Sequence, residues 1–163
     1  MEKHIYIFHH TDLDGMGVKL LGTLYAKAKG ISFSTYKCGY RQINTGVQAA
    51  LKQDDIEEII IGDISVNEKT AELVDQAVRA GIKVRLYDHH ESALPLASYN
   101  WAHVQERDDE GIDRSGTWVM GQDPDFQPFY AANQFLMDTI DDWDTWNWKS
   151  KNNILKNLLS AYL

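Results

Sequence analysis

Residues 4–30 read HIYIFHHTDLDGMGVKLLGTLYAKAKG, and this stretch decides the fold. Residues 4–8 are a short apolar run, as expected of a strand buried on both faces. Residues 15–29 read as a helix and stop at Gly30, a residue suited to the left-handed turn that ends one. The pattern recurs downstream. Residues 31–36 alternate in polarity as a second strand, 45–52 predict a short helix, and 58–61 before Gly62 predict a third strand. Ser65 and Glu68 have the spacing of a capping box and open a predicted helix over 66–80, closed by Gly81. Residues 83–87 (KVRLY) are a fourth strand. Such alternation predicts an α/β fold: a mainly parallel sheet of about five strands, flanked by helices and joined by right-handed crossovers.

Beyond Leu96 the spacing predicts a strand over 99–104, a polar loop over 107–116, and helices over 126–140 and 151–163. The last helix is apolar at Ile154, Leu155, Leu158, Leu159 and Tyr162, right up to the final residue. That stripe suggests a face for another domain or subunit, or a chain cut short.

The 163 residues amount to about one domain. With 44% hydrophobic and 25% charged residues, disordered and fibrous classes are excluded. Sixteen Lys and Arg stand against 24 Asp and Glu, a formal net charge of −8. This balance argues against a coat for long nucleic acid, whose footprint is a basic face, and leaves room for an acidic cluster that holds cations. The single Cys38 has no partner for an internal disulfide and fits a reducing compartment. No stretch approaches the ~20 apolar residues of a membrane helix, and the start lacks the cleavage site of a signal peptide. A soluble, cytoplasmic protein is expected.

The acids and histidines fall where the strands end. Strand one leads into His9-His10-Thr11-Asp12-Leu13-Asp14-Gly15, strand three into Asp63, and strand four into Asp88-His89-His90-Glu91. Ligands of open α/β sheets bind at the carboxyl ends of the strands. A fourth acidic group, Asp141-Asp142-Trp143-Asp144, follows a helix and is placed to close over the same crevice. Carboxylates gathered in this way repel one another until a cation joins them. Asp oxygens with His nitrogens and no thiolate suit Mn²⁺ or Zn²⁺. Two ions ~3.5–4 Å apart are a standard arrangement for hydrolysing phosphate esters. Strand alternation points Asp12 and Asp14 the same way and keeps Asp88, His89 and His90 from sharing one ion. That leaves His89 as a ligand, His90 as a donor to phosphate, and Asp88 as the group that orients an imidazole.

His10-Thr11-Asp12-Leu13-Asp14-Gly15, Asp63, Asp88-His89-His90 and an acid near Asp142, in that order, resemble the DHH phosphoesterase superfamily. Its members include RecJ-type exonucleases, nanoRNase-type oligoribonucleases, cyclic-dinucleotide phosphodiesterases and family II inorganic pyrophosphatases. The resemblance implies a catalytic domain over residues 1–146, with 147–163 as a C-terminal helix leading to a substrate domain or forming a homo-oligomer interface. It implies two Mn²⁺ ions, with Mg²⁺ or Co²⁺ as substitutes, and in-line attack by a bridging hydroxide on a small nucleotide or short oligonucleotide. By position, His10 and Asp12 hold the first ion and Asp14 the second, with Asp63 between them. His89 and Asp142 complete the second site, and His90 contacts phosphate. Asp141, Asp142 and Asp144 all stand close to the fourth motif, and the family pattern favours Asp142. A non-catalytic nucleotide-binding module on the same fold is the rival reading.

Plainer roles stand beside these. Asp12 and Asp14 suit the N-terminus of the helix that follows them. His4, His9 and His103 read as structural, partly buried histidines, and Asp141 and Asp144 as caps or solvated acids. Asp108, Asp109, Glu110 and Asp113 read as a solvated loop. Ser115-Gly116-Thr117 is either a plain helix start or a helix N-terminus aimed at phosphate. Trp143, Trp146 and Trp148 read as core or interface.

Overall fold

The computed structural model describes residues 2–149. Five strands, β1 (His4–His9), β2 (Ser32–Lys37), β3 (Ile56–Gly62), β4 (Lys83–Asp88) and β5 (Ala102–Val104), form one sheet in the order β2-β1-β3-β4-β5. Every pairing in it is parallel. The helices are α1 (Leu13–Lys29), α2 (Ile43–Ala50), α3 (Glu68–Arg79), α4 (Gly116–Gly121), α5 (Gln127–Ala132) and α6 (Gln134–Asp144), with 3₁₀ segments at Glu91–Ser98 and Asn147–Lys149.

Alternate residues of the inner strands feed two cores. Tyr6, Phe8, Ile59, Ile61, Val84 and Leu86 pack with Ile43, Val47, Ala71 and Val74 of α2 and α3. Ile5, Ile7, Ile60 and Tyr87 pack on the other face with Val18 and Leu21 of α1, and with Met120, Phe126 and Met137. Burial on both faces is why these strands read as continuous apolar runs. Each fully buried Ile, Leu or Phe contributes about 1.5–3 kcal/mol.

The chain leaves β1 across one face to β2, then returns past β1 to β3 and continues to β4. The connections diverge between β1 and β3, so a crevice opens at the carboxyl ends of these strands. Asp12 and Asp63 stand at its two sides.

Several expectations change on inspection. The capping box does not form: Asn67 caps α3 by accepting from Thr70 N, and Ser65 donates to Asp88 instead. The helix expected over 126–140 is two helices meeting at Asn133, whose φ of −121° is not helical. The last strand is confined to Ala102–Val104 because Glu91–Ser98 winds as a 3₁₀ helix first. Asp108 is no solvated loop acid; it pairs with Arg114. Asn147–Lys149 is a 3₁₀ turn, and the helix expected over 151–163 lies outside the described residues. No helix among the described residues is long and apolar enough to cross a membrane.

Candidate metal centre

Local backbone rules bring the first motif into place. Asp12 caps α1, its Oδ1 accepting from Gly15 N at 3.1 Å. The loop folds so tightly that a Cβ on Gly15 would lie 2.4 Å from the carbonyl oxygen of His10, so only glycine fits. The cap reading of Asp12 is therefore correct, and it leaves Oδ2 for His10 Nδ1 at 2.5 Å. Because α1 already begins at Leu13, Asp12 and Asp14 do not alternate as in a strand. They diverge to the two halves of the centre.

Asp63 closes β3 in a left-handed conformation (φ 56°) that non-glycine residues seldom adopt, Asp and Asn being among the exceptions. Its carboxylate lies between two donor sets. Oδ2 is 3.7 Å from His10 Nδ1, while Oδ1 is 3.5 Å from His89 Nε2 and 4.0 Å from His90 Nδ1. Burial, the charge of Asp14 and the nearness of Asp12 hold the Asp63 carboxyl well above the usual carboxylate range in the metal-free chain.

Asp14 is fully buried. Gly116 N donates to its Oδ2 at 2.6 Å and Thr117 N to its Oδ1 at 2.8 Å. The first amides of α4 are thus committed to a carboxylate, which decides the open reading of Ser115-Gly116-Thr117. A Cβ on Gly116 would come within 3.1 Å of both Asp14 Oδ2 and Asp63 Cα, so this close approach depends on glycine.

After β4 the chain turns into a 3₁₀ helix, and alternation ends at Asp88. His89 and His90 consequently face one side, their ring centroids 4.3 Å apart, contrary to the strand-based expectation. Asp88 is buried and accepts from His89 N, His90 N and His90 Nδ1, the last at 2.7 Å, and from Ser65 Oγ. Burial favours its neutral form, but the hydrogen bonds from His90 and Ser65 outweigh this and hold the carboxyl below its usual range. That hydrogen bond to Asp88 in turn raises the His90 pKa.

In the fourth motif, Asp144 is the acid that reaches His89. Asp144 Oδ2 is 3.4 Å from His89 Nε2, and Asp14 Oδ2 is 3.8 Å from the same nitrogen. Among the described residues Asp142 belongs to none of the clusters able to hold an ion. Asp141 and Asp144, three apart on α6, share a face, whereas Asp142 lies about 100° around the helix from Asp141. Neither Asp141 nor Asp144 is a solvated cap: Asp141 is buried against Ser115 N and Arg114. Burial, then the charge of Asp14, pushes the Asp144 carboxyl up to about 6.

Three overlapping clusters result: His10, Asp12 and Asp63; Asp63, His89 and His90; Asp14, His89 and Asp144. In each, the ligand atoms lie within 4.8 Å of one another. Two atoms bound to one ion at ~2.1 Å lie about 3–3.5 Å apart, near the His89 separations. Asp63 Oδ2 and His89 Nε2 are buried without a hydrogen-bond partner, a costly condition that a cation would relieve. The donor set of oxygen and imidazole nitrogen without sulfur fits a divalent ion.

Sequence reasoning named Asp144 beside Asp142 but favoured Asp142, and it passed over Ser65 and Tyr40. Helical spacing groups Asp141 with Asp144 but does not say which face meets His89, and no spacing singled out Ser65. Tyr40, 55% exposed on the loop after β2, sets its ring 5.6 Å from that of His10.

A parallel sheet that gathers these motifs at one edge, in this chain order, defines the class: the chain belongs to the DHH phosphoesterase superfamily. One relative in particular carries the assignment. Over 149 residues, 88% of the chain, the sequence is 30% identical to oligoribonuclease NrnB from Bacillus subtilis (strain 168). The chain spans 37% of that relative's length. Among solved structures it resembles an uncharacterized protein from Helicobacter pylori G27, with a TM-score of 0.67 and 19% identity over 90% of this chain and 44% of the other. It also resembles CDC45 from Entamoeba histolytica, with a TM-score of 0.51 and 10% identity over 74% of this chain and 26% of the other. At such identities these two likenesses show the fold alone. No protein-family model matches the chain.

Proposed function

We propose that this chain is the catalytic unit of a metal-dependent phosphoesterase. It hydrolyses phosphodiester or phosphomonoester bonds of short oligonucleotides or small nucleotides with two Mn²⁺ ions. The observation that carries this reading is the Asp63 carboxylate, one oxygen facing His10 and the other His89. His10, Asp12 and Asp63 would hold one ion, and Asp14, Asp63, His89 and Asp144 the other. Two such ions supply a hydroxide nucleophile near neutral pH and neutralise phosphoryl oxygens.

The chain's own groups do the rest. Asp88 pairs with His90 Nδ1 at 2.7 Å, which fixes the ring and leaves Nε2 to contact substrate phosphate. The α4 amides hold Asp14 with its Oδ2 toward His89. The similarity to an oligoribonuclease favours a short RNA as substrate. The acidic balance disfavours long nucleic acid, since phosphate contacts need Lys and Arg. Residues 1–146 form the catalytic domain in this reading, and 147–163 lead to a substrate domain or a second copy.

The test is hydrolysis of an RNA dinucleotide, pyrophosphate and 3′-phosphoadenosine phosphate, each with Mn²⁺ and with chelator. Turnover of the dinucleotide that vanishes in chelator is expected. Metal binding without turnover of any of the three would favour the non-catalytic nucleotide-binding module.

A further inference from the structure

We infer that Asp108, Arg114 and Asp141 are positioning residues that build the second ion site by locking α6 against the N-terminus of α4. This rests on the proposed reading of Asp14, His89 and Asp144 as ligands. Arg114 sends Nε and Nη2 to Asp108 Oδ2, at 2.9 and 2.7 Å, and Nη1 to Asp141 Oδ2 at 2.8 Å. Its guanidinium lies 4.9 Å from the centre of the Trp118 ring. Asp108 is itself fixed, its Oδ1 accepting from Glu110 N and Ile112 N at 2.9 Å each. The next residue, Ser115, gives its amide to Asp141 Oδ1 at 2.8 Å.

Gly116 and Thr117 then give theirs to Asp14. Four consecutive residues therefore grip the ligand Asp14 on one side and the helix bearing Asp144 on the other. Asp141 lies just under one helical turn before Asp144 on the same face, so its anchorage fixes where Asp144 meets His89. Among the described residues no hydrogen bond or ion pair joins Arg114 or Asp141 to His10, Asp12 or Asp63. The clamp's hydrogen bonds end at one ion site and not at the other. A planar fork between two carboxylates is a task for arginine, which lysine performs only in part.

The experiment is a calorimetric Mn²⁺ titration of the full chain, beside Arg114→Met and Arg114→Lys, with melting in chelator to check the fold. Partners that orient metal ligands commonly contribute ~10–100-fold to affinity. Arg114→Met should weaken the second Mn²⁺ by that factor and leave the first as tight as in the parent, with Arg114→Lys recovering part of the loss. The spin-coupled signal of an Mn²⁺ pair in electron paramagnetic resonance should disappear at metal levels that still fill one site. If Arg114→Met does not fold, Asp108→Asn, at the loop end of the clamp, carries the same expectation. Two Mn²⁺ bound as tightly as in the parent, or both weakened equally, overturns the inference. A parent chain that binds no Mn²⁺ pair overturns the site reading instead.

Discussion

Asp144 shows how much one residue's surroundings decide. Its motif was readable as an acidic run after a helix, but helical phase, which the run of Asp141, Asp142 and Asp144 leaves open, selects the acid that meets His89. Burial first, then the charges of Asp14 and Asp12, outweigh the lowering effect of His89 and His90 and raise its carboxyl from an ordinary 3.8 to about 6 in the metal-free chain. Between those values the folded chain binds the proton more tightly than the unfolded one, so Asp144 stabilises the fold below pH 4. That contribution is lost as pH rises through about 6. Asp144→Asn cannot lose it. In chelator the variant should gain melting temperature relative to the parent as pH rises from 4 to 7, and parallel profiles would contradict the assignment. The left-handed backbone of Asp63 was likewise invisible in the sequence, because an acid at a strand end implies no particular φ.

At the scale of elements the strands were the most legible part, because burial on both faces leaves an unbroken apolar run. Short helices were the least. α4 has only six residues and starts at a glycine, and its purpose is set by Asp14, about a hundred positions away. The Ser65–Glu68 spacing obeyed the capping rule, yet Asp88 claims the Ser65 hydroxyl. β3 and β4 also carry a buried charge network at the end remote from the ions. Arg85 bonds Glu58 at 2.5 Å and Asp123 at 3.0 Å, its guanidinium 4.4 Å from the Phe126 ring centre, and so ties the α4–α5 connection to the sheet. Glu58→Gln removes one of the three carboxylates on Arg85, leaving Asp123 and Asp125, and should cost about 1.5 kcal/mol in urea unfolding. Glu58 stands five positions before Asp63, about 16 Å along the strand, so Mn²⁺ affinity should not change. A matching loss of metal binding would show that the two ends of the sheet are coupled.

For the whole molecule, order in the chain and convergence in space are separate facts joined by topology. Motifs 25 to 49 residues apart meet because three parallel strands end at one edge, and the reversal between β1 and β3 opens the crevice there. The shared edge was legible from alternation, whereas the strand order, and with it the reversal, was not. The surplus of acids, a net charge of −8, has a local meaning too, since Asp12, Asp14, Asp63, Asp88 and Asp144 all lie in or against that crevice. Their mutual repulsion is the reason a cation pair should bind tightly, and Asp63 is the carboxylate both ions would share. Asparagine tolerates the same left-handed backbone, so Asp63→Asn removes charge without adding strain. The most direct measurement is Mn²⁺ stoichiometry and affinity per chain for the parent and Asp63→Asn, with melting in chelator alongside. The parent should bind two ions, and the variant should fold at least as stably in chelator while holding both ions more weakly. An Asp63→Asn chain that still binds two Mn²⁺ as tightly as the parent would contradict the shared carboxylate.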